Sequence, residues 1–286
     1  MLPEEATARS HASAEAQRIP PHGAADAARE FALTTVLLFC VVTAVRWLAP
    51  PNSPPAVPGP RGAAAAVGVL TGVLLVLLIT SPPGRRSGAH MNPAITLALW
   101  LMGTFPGRVV PAYAAAQLAG SVAGAALARL CWGPVLEGPA TRYAAVHPGP
   151  GWNAAMLLLT ESGCLVLLVL MIGCFLSHPG LSRRLPYAVG VATALIITGL
   201  AGLSGASANP ARQLGPAVLS GATQLLWVYL VAPLIGATAG AAAHRLLRRR
   251  PAAPAPRTHR LCGDDDAVRD RARQGAAPLP RAGTSP

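Results

Sequence analysis

The sequence contains no lysine, and charged residues of both signs fill only 12% of its 286 positions. Soluble domains carry about 25%, so half the usual charge argues against a water-borne globule and points to a bilayer. Five cysteines, at 40, 131, 164, 174 and 262, have neither metal nor disulfide spacing. Three of them lie in apolar segments and read as small core residues. Paired catalytic carboxylates, a metal cluster and a nucleophile elbow are missing. Gly84 and Gly88 do not form a phosphate loop, since no Gly-Lys-Ser/Thr follows. The inventory therefore supports neither an enzyme nor a cofactor or metal site. The N-terminal thirty residues lack an apolar signal core and read as a disordered cytoplasmic leader rather than a cleaved signal peptide.

What the chain does have is apolar length. Hydrophobic residues make up 52% and the mean hydropathy is +0.44. A bilayer core needs about 20 apolar residues per helix, and six stretches qualify, near 30–49, 63–81, 109–131, 153–177, 186–203 and 224–244. Two shorter ones, near 93–103 and 210–220, are about half a bilayer long at 1.5 Å per residue. They are either loop helices or a pair of re-entrant halves, and hydropathy alone does not choose. Arg85, Arg86, Arg108, Arg183, Arg184 and the Arg245–Arg250 cluster fall on one side of the spans. Arg46, Arg61 and Arg142 fall on the other, with Arg129 near that boundary. The richer side is expected to be the cytoplasm, with both termini inside a cell-membrane protein. The Pro50–Pro60 run then becomes an external connector. Three segments follow: a leader over 1–28, a membrane domain over 29–246, and a disordered basic tail over 247–286. Nine arginines between Arg248 and Arg281 supply much of the net charge of +12. Without a folded basic patch, the tail suits an anionic leaflet better than nucleic acid.

An internal repeat organises the membrane domain. Ser87-Gly88-Ala89-His90-Met91-Asn92-Pro93-Ala94 recurs as Ser204-Gly205-Ala206-Ser207-Ala208-Asn209-Pro210-Ala211, and the asparagine offset, 209 − 92, is 117. The decapeptides 116–125 and 232–241 match at an offset of 116. Only four asparagines exist in the chain, and two occupy these matching contexts. The first repeat runs over about 30–131 and the second over about 153–244. Three spans per repeat is an odd number, so the copies insert with opposite orientation about a pseudo-two-fold axis in the membrane plane. One short helix then enters from each face.

Each asparagine precedes a proline that opens a helix, the arrangement favoured at a cap and first turn. A single Asn-Pro-Ala is as well explained by a helix cap in a loop. Two of them in an inverted repeat place two half-helix N-termini face to face, each with roughly half a positive charge and free donors. Such a centre repels cations and accepts a polar oxygen. Irregular backbone at this depth is tolerated only where it lines a cavity or is buried in protein. Gly120, Gly124, Gly236 and Gly240 form small-xxx-small pairs that let helices approach closely.

These features resemble the aquaporin, or major intrinsic protein, family, over about residues 28–246. The two Asn-Pro-Ala boxes carry the likeness, with SGAHMNPAIT and SGASANPAR as loop boxes. Tyr113 and Ala116-Gln117 resemble the family's third helix, and Trp227-Val228-Tyr229, Pro233 and Gly236 its sixth. The resemblance implies an all-α membrane protein of six transmembrane helices plus two re-entrant half helices, the inverted-repeat aquaporin fold. It also implies a homotetramer with one pore per subunit. Asn92, Pro93, Ala94, Asn209, Pro210 and Ala211 are then the pore motifs. Glu30 and Glu161 are expected to accept hydrogen bonds from loop backbone, with His90 and Gln117 also supporting the loops. Glu30 has a second reading, a first-turn carboxylate at the interface. His147 and His178 read as solvated loop residues rather than a pH gate.

By the same resemblance, four residues form the constriction. Counting without gaps from the asparagines gives Gly72, Ile197, Ala206 and Arg212, with Arg212 binding solute oxygen and repelling cations. Strict water channels place an aromatic ring at the first position and a histidine at the second, and this chain has neither. The residue after the arginine is Gln213 where the aquaglyceroporin branch usually has an acid. The filter is most similar to the plant nodulin-like branch and its bacterial relatives. The expectation is a passive channel for water and small uncharged solutes: glycerol, urea, or metalloid hydroxides such as boric or arsenous acid. The alternatives are a water-selective aquaporin, a secondary transporter, or a scaffold with a closed pore. The transporter would need a coupling-ion site, and no intramembrane aspartate is present to form one.

Overall fold

The computed structural model describes residues 23–50 and 57–248. Eight helices carry the architecture among them: α1 (Ala24–Leu48), α2 (Gly59–Thr80), α3 (Pro93–Leu101), α4 (Val110–Trp132), α5 (Ala154–Ser177), α6 (Leu185–Leu200), α7 (Pro210–Ser220) and α8 (Leu226–Leu247). Shorter helical turns join them at Pro82–Ser87, Gly107–Val109, Gly133–Glu137, Arg142–Ala144 and Pro179–Ser182. No strand occurs among the described residues.

Local chemistry sets most of the boundaries. Asn92, Asn153 and Asn209 cap α3, α5 and α7, each side-chain oxygen accepting a backbone N–H of the first turn. Prolines sit in the first turns of α2, α3, α4, α6 and α7, where no donor is lost. Gly133 and Gly221 end α4 and α7 with positive φ, 67° and 69°.

Three expected boundaries move. The leader expected over 1–28 is helical from Ala24, and Asp26 in the first turn pairs with Arg29; residues 1–22 lie outside the described residues. The connector expected to reach Pro60 gives way to α2 at Gly59, with 51–56 also outside them. The fifth span stops at Leu200 rather than 203. There the Leu200 carbonyl accepts from the N–H groups of Leu203, Ser204 and Gly205 and turns the chain back. Five of the described helical segments are long and apolar enough to cross a membrane, and α6 is sixteen residues, about 24 Å at the helical rise. The tail from 249 onward lies outside the described residues.

Packing follows the repeat. α1 lies against α4 as α5 lies against α8, and α2 crosses α6 between the two halves. Each half helix leans on the long helix that ends the other repeat, α3 on α8 and α7 on α4. The copies are thus interlocked rather than side by side. Close approach depends on missing side chains: a Cβ on Gly120 would lie 2.5 Å from the Phe31 carbonyl, and one on its counterpart Gly236 2.2 Å from that of Ser162. Small residues allow this backbone contact in a lipid setting.

A Cβ on Gly163 would meet nothing within 4 Å, which provides a control. Gly236→Leu is expected to lower thermal stability in detergent by about 1–3 kcal/mol or more, the usual cost of overpacking. Gly163→Leu should leave it unchanged. Equal melting curves for the two variants would contradict the crossing geometry.

Candidate functional site

The segments before α3 and α7 have the same backbone twist. Gly88, Ala89 and Met91 have φ of 99°, 52° and 48°; Gly205, Ala206 and Ala208 have 86°, 56° and 49°. Four of these six are alanine or methionine in the left-handed region, which costs an L-residue about 1–2 kcal/mol. Such conformations persist only where the surroundings over-determine them. Here two buried carboxylates do so.

Glu30 is fully buried on α1. Its Oε1 accepts from the Ser87 hydroxyl at 2.7 Å and the His90 N–H at 3.1 Å. Its Oε2 accepts from the Met91 N–H at 2.7 Å and Gln117 Nε2 at 2.8 Å. Glu161 on α5 repeats the pattern with the Ser204 hydroxyl at 2.7 Å, the Ser207 N–H at 3.2 Å and the Ala208 N–H at 2.7 Å. Four donors for one carboxylate and three for the other offset a desolvation that would otherwise be prohibitive. Glu30 is fully enclosed by protein, so the reading as a first-turn surface carboxylate is set aside. Tyr113 and Tyr229 complete each loop, their hydroxyls donating to the carbonyls of Ser87 at 2.8 Å and Ser204 at 2.7 Å.

The two asparagines meet across the centre. Asn92 Nδ2 donates to the Ala208 carbonyl at 3.0 Å and Asn209 Nδ2 to the Met91 carbonyl at 2.8 Å. Each Oδ1 accepts from the N–H two residues on, Ala94 or Ala211, at 2.9 Å. One amide hydrogen per asparagine thus ties the halves together, leaving the second for the cavity. His90 lies beside Thr96, with Nδ1 3.1 Å from its Oγ1, and packs against the rings of Phe105 and Tyr113.

A cavity of about 430 Å³ passes this centre. Its walls include Val41, Val67, Leu75, Ile172 and Ile196, with Asn92, Asn209 and Arg212 among the polar groups. Ile197 and Ala206 also line it. Gly72 does not. A Cβ there would stand 2.5 Å from the Gly190 carbonyl, because Gly72 is where α2 crosses α6. Gly68, one turn earlier, faces the Cβ of Ile197, so the cavity-lining α2 residues flanking that level are Val67 and Thr71. The ungapped count therefore falls on the wrong face of the helix, and Thr71 replaces Gly72 as the candidate wall residue. A helix turns 100° per residue, so one position separates wall from seam.

Arg212 in the first turn of α7 donates from its Nη1 to the Ala144 carbonyl at 2.6 Å. Composition gave no hint of that partner. Ser87 and Ser204, and the tyrosine pair 113 and 229 at offset 116, did carry a signal: they are duplicated with the repeat. Thr71 and Ala144 are not, and only the folded backbone identifies them. His147 lines the cavity, whereas His178 bonds the Cys174 carbonyl outside it.

A family profile described as Major intrinsic protein matches residues 22–244. Aquaporin NIP1-3 from Oryza sativa subsp. japonica is 39% identical over 180 residues, 63% of this chain and 61% of that protein. The chain thus spans about three fifths of the length of this relative. A probable aquaporin, AqpM, from Archaeoglobus fulgidus is 34% identical over 182 residues, 62% of this chain and 73% of that one. The X-ray structure of the aquaglyceroporin from Plasmodium falciparum superposes with a TM-score of 0.65 at 20% identity, covering 78% of this chain and 96% of that one. At that identity the likeness concerns the fold.

The carboxylate bonds are testable by a nested pair. Gln117→Met removes one of the four donors to Glu30 together with a partner of Thr96, and should cost about 1.5–3 kcal/mol. Glu30→Gln keeps one acceptor oxygen but turns an NH2 group toward two of the four donors, and should cost clearly more, read as thermal unfolding in detergent. A Gln117→Met variant as damaged as Glu30→Gln would contradict this accounting.

Proposed function

We propose a function that proceeds from one premise: the chain belongs to the major intrinsic protein family, whose members include aquaporin and aquaglyceroporin-type channels. It is a passive transmembrane channel for water and small uncharged solutes, with glycerol, urea and metalloid hydroxides such as boric or arsenous acid as the candidates. The protein sits in the cell membrane with both termini cytoplasmic and assembles as a homotetramer with one pore per subunit. One observation carries the solute reading. Ile197 and Ala206 line the cavity where Arg212 enters it, flanked on α2 by Val67 and Thr71. None of these residues is aromatic or a histidine, so the wall they form is wider and less rich in donors than a water-only filter. The histidines that do reach the cavity, His90 and His147, come from loops and not from α2 or α6.

The mechanism follows from electrostatics. Two half-helix N-termini aim partial positive charge at the centre, and the Asn92 and Asn209 amides donate to a passing oxygen there. A hydroxyl-bearing solute exchanges water's hydrogen bonds for those of Arg212, the asparagines and the loop carbonyls, while its remaining surface slides along the apolar wall. A cation meets Arg212 and both helix termini with no carboxylate among the described residues lining the cavity to receive it, since Glu30 and Glu161 are occupied by the loops.

Stopped-flow light scattering on proteoliposomes with water, glycerol, urea and boric acid tests this directly. Arg212→Val should retain neutral flux while admitting protons or cations. Thr71→Phe combined with Ile197→His should keep water flux and reduce glycerol and boric acid flux by about tenfold or more, equivalent to roughly 1.4 kcal/mol of added barrier. A parent that conducts water but rejects the other three solutes would overturn the wide-filter reading.

A further inference from the structure

One further side chain stands beside the filter without lining the cavity. Gln213 is completely buried in the first turn of α7. Its Oε1 accepts from the Val146 N–H at 3.0 Å, and its Nε2 donates to the Val146 carbonyl at 2.8 Å. A carboxamide is the side chain that offers one donor and one acceptor side by side, the complement of a residue's own N–H and C=O. Two residues before Val146 lies Ala144, whose carbonyl accepts from Arg212. Adjacent side chains of α7 thus hold one short stretch of the outer loop at two points.

That stretch does not hold its shape by itself. Arg142, Tyr143 and Ala144 have φ of 41°, 54° and 61°, three consecutive non-glycine residues in the left-handed region. On the far side the loop is tied by Tyr143, whose hydroxyl donates to Glu137 at 3.3 Å, while Glu137 pairs with Arg129 at 3.0 Å. On the cavity side its side-chain hydrogen bonds come from α7, while the Arg142–Ala144 turn also packs against α1. Released there, the run would relax toward ordinary φ values and turn the Ala144 carbonyl away from the guanidinium.

We propose that Gln213 is a positioning residue for the filter: its two bonds to Val146 hold the Ala144 carbonyl in place, and that carbonyl fixes where the Arg212 charge stands in the pore. The inference rests on the channel reading above. It explains why an amide, rather than an acid, suits this position. A carboxylate accepts from the Val146 N–H but faces the Val146 carbonyl with a second negative oxygen, so half the grip becomes repulsion.

The test uses Gln213→Glu and Gln213→Met in full-length protein reconstituted in liposomes, measuring potassium leak and water flux together. A protonated glutamic acid has one donor and one acceptor, as glutamine does. Gln213→Glu should therefore match the parent near pH 4 and leak potassium about tenfold faster near pH 9, the effect of losing one buried hydrogen bond. Gln213→Met should leak at both pH values. The charged and titratable groups nearby, Arg142, Arg212, Glu161 and His147, are common to parent and variants, so the parent's own pH profile is the baseline. In an Arg212→Val background, neither substitution should add to the leak. A purely structural role would lower water flux in proportion to folded protein, with no pH dependence and with effects additive to Arg212→Val; that result overturns the proposal. A parent without neutral-solute flux would overturn the channel reading itself, whereas a conducting parent matched by both variants overturns the positioning role alone.

Discussion

A carboxylate withdrawn from water has to be met by donors, and in this molecule the donors come from backbone that would not otherwise hold its shape. Glu30 and Glu161 need the N–H groups of residues 90, 91, 207 and 208, and the loops that present them need a partner to hold the left-handed φ values at 88, 89, 91, 205, 206 and 208. Each side of the exchange is unfavourable alone and the two together are stable. The half helices begin where these loops end, so the positions of Asn92, Asn209 and Arg212 depend on the two carboxylates.

The repeats agree in this mechanism and differ in its details. Gln117 supplies Glu30 with a fourth donor, whereas Pro233 stands at the matching place in α8 and supplies none. The second carboxylate instead has Arg212 close enough to interact electrostatically. His90 in the first loop packs between aromatic rings, while its counterpart Ser207 bonds the Asn209 carbonyl. The first half is therefore the more purely structural, and the second combines support with a charge that faces the cavity.

How much was legible in the sequence follows from which residues were duplicated. The boxes at Asn92 and Asn209, the two half helices and the pair Tyr113/Tyr229 recur at an offset of 116 or 117, whereas Glu30 and Glu161, 131 residues apart, are expected from the family resemblance. A repeat turns weak local signals into a specific one, and the boundaries of α3 and α7 came out within two residues. The wall of the constriction was not legible in that way. Thr71 and Gly72 are neighbours on a helix that is apolar nearly all round, so no periodic pattern marks which one faces the cavity. The partners of Arg212 and Gln213 lie in the irregular loop at 133–150, whose left-handed run has no glycine to announce it.

The crossing of α2 and α6 has a consequence for how the two halves can diverge. A Cβ on Gly72 would strike the Gly190 carbonyl at 2.5 Å, and a Cβ on Gly190 would strike the Gly72 carbonyl at 2.6 Å. The contact is reciprocal because the pair straddles the pseudo-two-fold axis, and in that respect it is an isologous interface folded into one chain. Away from the axis, each half can change a residue and adjust its own surroundings. At the axis there is no separate neighbourhood to adjust, since each residue's environment is the other copy. A side chain gained on either side would push both helices apart where they cross.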